Sequence, residues 1–277
     1  MAPAARRNRH RGGRLSDSVR RMRVAVIGGT GELGALVVAE LAARGDAVRA
    51  VSRNAPAAGR LPAGVAHARA DLTSGEGLRA ALDGIEVVVD AANDRVRARK
   101  LLVDGTVRLL AAEADASVRH HVAISIVGCD RVPHFYYKAK VAQERALAQG
   151  AIPWTLLRAT QFHAMQAGAF ASAARLRVLP KVRVPLQPID AAVVARRIAE
   201  LAGGEPAGRV PDLAGPQVER LDALAEQWRA HDGRRLLPLR LPRLVLGGGG
   251  REMAEGLLTD PAAAVAGPTF AQWLARR

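Results

Sequence analysis

The chain of 277 residues is poor in cysteine and in aromatic residues, and each shortage excludes a class of protein. Its single cysteine, Cys129, excludes an intramolecular disulfide framework and a cysteine-rich zinc module. Three tryptophans, two tyrosines and four phenylalanines are too few to form stacking platforms for single-stranded nucleic acid. No third ligand accompanies the histidines at metal spacing, so we expect no metal site. A chain of this kind is expected in the reducing cytoplasm.

The sequence also lacks the run of about 18 apolar residues that a membrane span requires. The nearest approach, residues 236–246, is short and contains Arg240 and Arg243. Hydrophobic residues nevertheless make up 49% of the chain and its mean hydropathy is +0.02, which suffices to bury a core. We therefore expect a folded protein with no membrane association.

Lysine is scarce too: it accounts for four of the 41 basic residues, although the net charge is +15. Residues 1–21 contain seven arginines and one acid, a net charge of +6, and show no apolar periodicity. This composition predicts a disordered basic arm. Three interpretations of the arm are open: an inert tail or mis-assigned start, a nucleic-acid-binding arm, or an export signal. Much of the positive charge follows from a general preference for arginine along the chain. A nucleic-acid partner is therefore not favoured.

From residue 22 onward, short β-rich runs alternate with helical periodicity, which is typical of βαβ units and a parallel sheet. The predicted strands are Arg23–Ile27, Ala47–Ser52, Val65–Ala68, Val87–Asp90, His121–Ile126 and Trp154–Leu157. The predicted helices between them are Leu33–Ala43, Ser74–Leu82, Ala98–Ala114 and Tyr137–Ala148. The alternation ends near residue 160. We therefore predict an α/β core over residues 22–160 and a small C-terminal substrate lobe over residues 161–277.

Glycines at positions 28, 31 and 34 follow the first strand and open the first helix. Glycine is needed in such a turn because the backbone must approach a pyrophosphate and the helix must pack against the strand. The anion then lies at the helix N-terminus, where free N–H groups and the dipole favour negative charge. The residues predicted to bind a dinucleotide here are Gly28, Thr30, Gly31, Glu32, Leu33 and Gly34.

The second strand ends at Ser52 and Arg53, where an NAD-binding protein would place an acid on the ribose. Arg53 offers instead a planar cation suited to a 2′-phosphate, so NADP(H) is favoured over NAD(H). The alternative is a solvated arginine in an arginine-rich chain. Asp71 and Leu72 follow the third strand beside the expected adenine, although Asp71 could instead cap a helix. Asn93 follows the fourth strand, where small residues would let the cofactor pass.

The chain resembles an atypical short-chain dehydrogenase/reductase of the NmrA-like NAD(P)H-binding group. Four segments carry the resemblance: Gly28–Gly34, Ser52–Arg53, Asp71–Leu72 and Tyr136–Lys140. The resemblance covers most of residues 22–160 and continues more loosely to the C-terminus. It implies a Rossmann-type doubly wound parallel sheet with helices on both faces, and bound NADP(H). It implies no particular substrate beyond a small molecule, and the oligomeric state is left open.

Tyr136 and Lys140 stand four residues apart and would share one face of a helix. A lysine ammonium near the tyrosine would lower its pKa and make it usable as a general acid/base. The family's Tyr-x-x-x-Lys pattern carries over onto these two residues, and Lys140 would also bind the ribose. Ser125 is the candidate for orienting a substrate carbonyl. Two alternatives are open: Tyr136 could be an aromatic ring that packs at the start of a helix, and Lys140 could contact the ribose without a catalytic role.

These residues predict an NADP(H)-dependent oxidoreductase that transfers hydride to a small carbonyl, quinone or related acceptor. The alternative is a non-catalytic NAD(P)H-binding redox sensor or regulator of the NmrA-like type, because members of this group often lack the tyrosine. Such a regulator would need the same nucleotide-binding residues. The two hypotheses therefore differ only in whether Tyr136, Lys140 and Ser125 perform chemistry.

Overall fold

A computed structural model of the chain describes residues 21–241 and 249–277. Residues 1–20, which carry nearly all of the expected basic arm, lie outside this description, as do the first two glycines of the run at 247–250. Strands and helices alternate in the first half of the chain, except between the second and third strands. Its elements are β1 (Arg23–Ile27), α1 (Glu32–Ala43), β2 (Ala47–Ser52), β3 (Ala66–Arg69), α2 (Leu78–Leu82), β4 (Val87–Asp90), a π-helical segment (Arg99–Asp104), α3 (Gly105–Asp115), β5 (His120–Ile126), α4 (Phe135–Gln149) and β6 (Trp154–Ala159).

The second half contains shorter elements and ends in a small helix. These elements are α5 (His163–Ala174), β7 (Val178–Lys181), β8 (Pro185–Leu186), α6 (Ala191–Ala202), β9 (Gly208–Arg209), β10 (Leu213–Ala214), β11 (Glu219–Arg220), α7 (Leu221–Asp232), β12 (Leu237–Arg240), α8 (Gly250–Ala254), β13 (Ala264–Val265) and α9 (Phe270–Leu274). No helix among the described residues is both long enough and apolar enough to cross a membrane.

The main sheet is parallel and has the order β13-β10-β6-β5-β4-β1-β2-β3, with β9 pairing beside β6. Ile27 at the end of β1 lies level with Val51 on β2 and with Asp90 on β4. The order 3-2-1-4-5-6 is that of a doubly wound Rossmann sheet, which confirms the predicted fold class. Because the winding reverses between β1 and β4, a crevice opens there at the carboxyl ends of the strands.

Two hydrophobic layers cover the two faces of this sheet. On one face α1 and α6 pack together over strand residues such as Val24, Val89 and Val122. On the other face α2, α3 and α4 cover Ala25, Val88 and neighbouring residues. The strand interiors are apolar on both sides, as burial between two helical layers requires.

A third cluster lies in the second half of the chain and joins α5, α7 and α9 around Phe170, Trp228 and Phe270. The second half also contributes α6 to the first helical layer, and β9, β10 and β13 to the main sheet. Residues 161–277 therefore belong partly to the core and partly to a separate cluster. The division at residue 160 stays a prediction.

The helix after β3 is shorter than the sequence predicted. The pattern predicted Ser74–Leu82, whereas α2 begins only at Leu78. Gly75 and Gly77 adopt positive φ angles of +87° and +76°, and a Cβ at Gly77 would lie 2.3 Å from the Arg69 carbonyl oxygen. The chain therefore forms a turn before the helix begins.

Candidate functional site

A cleft of about 520 Å³ follows the carboxyl ends of the parallel strands. Segments that leave β1, β2, β3, β4, β5 and β6 all contribute to its walls, as does the start of α5. It therefore occupies the crevice that the strand order produces. The predicted site residues in its lining are Gly28, Thr30, Gly31, Glu32, Leu33, Ser52, Arg53, Asp71, Leu72, Asn93, Ser125, Tyr136 and Lys140.

The glycine turn between β1 and α1 forms one wall of the cleft. Gly28 has a φ of +72°, and a Cβ there would lie 2.9 Å from the Ala92 Cα on the neighbouring strand connection. Gly31 is the N-cap of α1 and supplies no side-chain acceptor to the first helical turn. The N-terminus of a 12-residue helix thus faces the cleft without a capping side chain, which is the arrangement that binds a phosphate group.

Gly34 acts differently from the other two glycines, because it does not line the cleft. A Cβ at this position would lie 2.1 Å from the Gly28 carbonyl oxygen and 2.7 Å from its carbonyl carbon. The absence of a side chain therefore lets α1 pack directly on the turn. We expected Gly34 among the residues that contact the cofactor, and the structure gives it a packing role.

The far end of the cleft lies where β2 and β3 end side by side. Arg53 is exposed there and also lines a second cavity of about 240 Å³, together with Asn54, Arg69 and Asp71. The Ser52 hydroxyl donates to the Asn54 carbonyl oxygen at 2.8 Å and lies 2.9 Å from a ring nitrogen of His67. Arg53 is therefore open to a phosphate group, whereas Ser52 holds the turn that presents it.

Asp71 builds the loop after β3. Its Oδ1 accepts hydrogen bonds from the Thr73 backbone N–H and hydroxyl, both at 2.7 Å. Burial acts to raise the pKa of Asp71, but the Thr73 hydrogen bonds and the charge of Arg53 outweigh it and lower the pKa. The N-cap of α2 is Gly77, so Asp71 does not cap that helix. Leu72 is buried beside it, and their contact with adenine stays a prediction.

Tyr136 lies in the first turn of α4, where its side chain reaches the opposite wall of the cleft. The residue is 7% exposed, and its hydroxyl donates to Asn93 Oδ1 at 3.0 Å. Burial raises the pKa of Tyr136, against smaller lowering effects of the Asn93 hydrogen bond and the Arg95 charge. The structure thus pairs Asn93, expected to contact the cofactor, with the candidate acid/base.

Lys140 lines the same wall, one helical turn further along α4. Its ammonium donates to the Ile124 carbonyl oxygen at 2.7 Å and to Gln143 Oε1 at 2.5 Å. Gln143 in turn donates to Asp90 at 3.0 Å. Burial lowers the pKa of Lys140, and Asp90 opposes this. We expected Lys140 to lower the pKa of Tyr136, but its protons are directed to other acceptors and the pKa of Tyr136 is raised.

Ser125 lies near the end of β5, where its hydroxyl has partners other than Tyr136. It contacts the Cys129 sulfur at 3.8 Å, and Cys129 donates to Glu144 at 3.5 Å. Burial acts to raise the pKa of Glu144, but hydrogen bonds from Arg158 and Ser125 outweigh it and lower the pKa. The structure therefore brings Ser125 to the cleft but not into a hydrogen bond with the tyrosine.

Several cleft residues carry no sequence motif and were not predicted as site residues. They come from the connection after β4 and from the segment that leads into α5. They are Arg95, Phe162 and Met165. Their positions depend on how two segments far apart in the chain converge, so no local spacing could have identified them.

No group of three metal-ligating side chains occurs within residues 21–241 or 249–277. The adjacent histidines at the start of β5 have protein partners instead. His120 Nε2 lies 2.8 Å from the Thr155 hydroxyl, and His121 Nδ1 lies 2.8 Å from the buried Glu113 carboxylate. These side chains are thus part of the core.

The model of a family described as NAD(P)H-binding matches residues 28–201, which is more than half of the chain. The Photosystem II assembly factor Ycf39 of Trieres chinensis is 31% identical over 148 residues, covering 51% of this chain and 46% of that protein. The chain thus aligns with just under half the length of this curated relative.

Solved structures with a similar fold include two reductases. An NADPH-dependent quinone oxidoreductase of Escherichia coli, solved with NADPH, has a TM-score of 0.75 and 21% identity, covering 91% of this chain and 99% of that one. The triphenylmethane reductase of Citrobacter sp., solved with NADP(H), has a TM-score of 0.75 and 18% identity, covering 92% and 99%. At these identities the likeness concerns the fold.

Proposed function

Because the chain belongs to the NAD(P)H-binding family, we propose that it is an NADPH-dependent oxidoreductase that reduces a small carbonyl, quinone or related acceptor. The observation that carries this proposal is the Tyr136 hydroxyl, which lies at the cleft wall beside Asn93 and one turn from Lys140. The fold neighbours that are reductases support the same reaction class.

The residues present fit a bound dinucleotide. The uncapped N-terminus of α1 accommodates the pyrophosphate, and the Cβ-free surface at Gly28 and Gly31 allows backbone approach. Arg53 offers its guanidinium to a 2′-phosphate in the adjoining cavity. NADPH in this cleft would supply the hydride. Tyr136 holds its proton in the hydrogen bond to Asn93 and is placed to donate it to an acceptor oxygen.

Nucleotide choice can be tested with Arg53→Ala and a matched Arg60→Ala control. Arg60 is an exposed arginine of the same connection that lines neither cavity. We expect Arg53→Ala to weaken NADPH binding by about tenfold or more and to leave NADH binding almost unchanged. Fluorescence titration of both nucleotides measures this. Failure of both nucleotides to bind would refute the whole proposal, and tighter binding of NADH by the unaltered protein would refute the role of Arg53.

A second candidate is a non-catalytic NAD(P)H-binding regulator. It is favoured by the hydrogen bonds of the Lys140 ammonium and the Ser125 hydroxyl, which go to partners other than Tyr136. The similarity to a protein named as an assembly factor favours it as well. Tyr136→Phe separates the two candidates, because an enzyme loses turnover of an accepted carbonyl or quinone while retaining NADPH affinity. A regulator shows no turnover before the substitution.

A further inference from the structure

Arg95 places a positive charge at the acceptor side of the cleft. It lies in the connection that follows β4, two residues after Asn93, and lines the cleft. Its guanidinium carbon lies 5.7 Å from the centroid of the Tyr136 ring, within the range of a cation–π contact. The charge is therefore held close to the hydroxyl that we propose as proton donor.

This guanidinium has no carboxylate partner among the described residues. Arg95 Nη1 contacts the Met165 sulfur at 3.6 Å, and a thioether is a weak acceptor. The neighbouring carboxylate, Asp94, is occupied: it accepts from the backbone N–H groups of Val96 and Arg97, both at 2.9 Å, and pairs with the Arg97 side chain. Most N–H groups of the Arg95 guanidinium thus remain available to a ligand.

The lining of the cleft that contains Arg95 includes aromatic and apolar side chains, alongside polar residues such as Asn93 and Gln161. Tyr136 and Tyr137 form the side contributed by α4, and Phe162 and Met165 form the side contributed by the entry into α5. The other cation at this end of the cleft, Lys140, is buried and already donates to two protein acceptors. A ligand in this space would therefore meet aromatic and apolar side chains, neutral polar groups and one accessible positive charge.

We infer that Arg95 binds the anionic group of the acceptor, and that this acceptor is an aromatic or similarly apolar molecule carrying a carboxylate or comparable anion. The inference rests on the proposed function and names its substrate class. A guanidinium suits this role because its planar fork can donate two parallel hydrogen bonds to one carboxylate. The exposed position of Arg95 lets the ligand bind without burial of an isolated charge.

The test uses ligands that cannot be reduced by the bound nucleotide. The full-length protein is saturated with NADP⁺ and titrated by calorimetry with benzoate and with its neutral isostere benzamide. We expect benzoate to bind about tenfold more tightly than benzamide. Arg95→Gln should abolish this preference and leave NADP⁺ affinity unchanged. Arg99→Gln is the matched control, because Arg99 is exposed nearby on the chain but does not line the cleft.

The outcomes separate this inference from the proposed function. Failure of NADP⁺ to bind contradicts the proposed function. A saturated protein that binds benzoate no better than benzamide, or binds neither at millimolar concentration, overturns the inference alone. A loss of NADP⁺ affinity in Arg95→Gln also overturns it, since the anion bound by Arg95 would then belong to the nucleotide. The inference is also overturned if Arg95→Gln still binds benzoate more tightly than benzamide.

Discussion

Replacing Gly34 by alanine adds one methyl group at a point where backbone already occupies the space. The added Cβ would lie 2.1 Å from the Gly28 carbonyl oxygen, whereas ordinary van der Waals contact begins at 3.4 Å. The obstructing atoms belong to the turn itself and cannot rotate away as a side chain would. Forced overpacking costs up to about 3 kcal/mol, and the better helix propensity of alanine returns about 1 kcal/mol. We expect Gly34→Ala to lose about 2 kcal/mol of unfolding free energy.

The matched control is Gly168→Ala, the same chemical change in another helix. Gly168 is exposed on α5, and nothing lies within 4 Å of its added Cβ. No steric clash therefore opposes the higher helix propensity of alanine, and this variant should be stabilised by up to about 1 kcal/mol. The two substitutions are expected to change stability in opposite directions, which separates the packing effect from the intrinsic preference for alanine.

Thermal unfolding and NADPH titration measure both consequences. We expect the Tm of Gly34→Ala to fall by roughly 5 °C and that of Gly168→Ala to rise by about 2 °C. NADPH affinity should decrease only in Gly34→Ala, because a displaced turn moves the N-terminus of α1. A Gly34→Ala protein with unchanged Tm and unchanged NADPH affinity would refute the packing role of this glycine.

Two further predictions concern buried titratable groups in and after β5. Burial lowers the pKa of His120 to about 4, so from pH 6.5 down to 4 the unfolded chain binds a proton that the folded protein does not. The free energy of unfolding should therefore decrease as the pH is lowered through this window. The Tm difference between pH 7 and pH 5 should be smaller in His120→Gln than in the unaltered protein, and an equal difference would contradict this role of His120. Burial raises the pKa of the Cys129 thiol to about 11, so alkylation by iodoacetamide at pH 8 should be at least about a hundredfold slower in the folded than in the urea-unfolded protein.

The fold could be predicted wherever local sequence determines local structure. β1, β2 and β4 have the predicted bounds because each is a short, mainly apolar run that is followed by a turn or loop segment. The two-residue strands β9, β10 and β13 carry no periodicity, since they exist only through pairing at the sheet edge. Tertiary assembly, rather than propensity, therefore extends the Rossmann sheet beyond β6.

The candidate site divides in the same way. The glycine turn and Arg53 could be located because strand ends and glycine spacing place them at the carboxyl edge of the sheet. Arg95 and Met165 are 70 residues apart and meet only because α5 returns to the connection after β4. The direction of the Lys140 ammonium was unpredictable for a related reason: it depends on Gln143 and on a carbonyl of β5. Helical spacing places two side chains on one face without choosing their hydrogen-bond partners.

The protonation state of Tyr136 gives the proposed reaction a preferred direction. Because burial raises the pKa of this hydroxyl above its ordinary value of 10, it is protonated at neutral pH and is held in a hydrogen bond to Asn93. A protonated tyrosine can donate to an acceptor oxygen during reduction, whereas oxidation of an alcohol first requires its deprotonation. We expect the reduction rate to stay nearly constant from about pH 6 to 9, and alcohol oxidation to rise throughout that range. A reduction rate that falls around pH 7 would show that the tyrosine ionises with a lowered pKa, and would contradict this assignment.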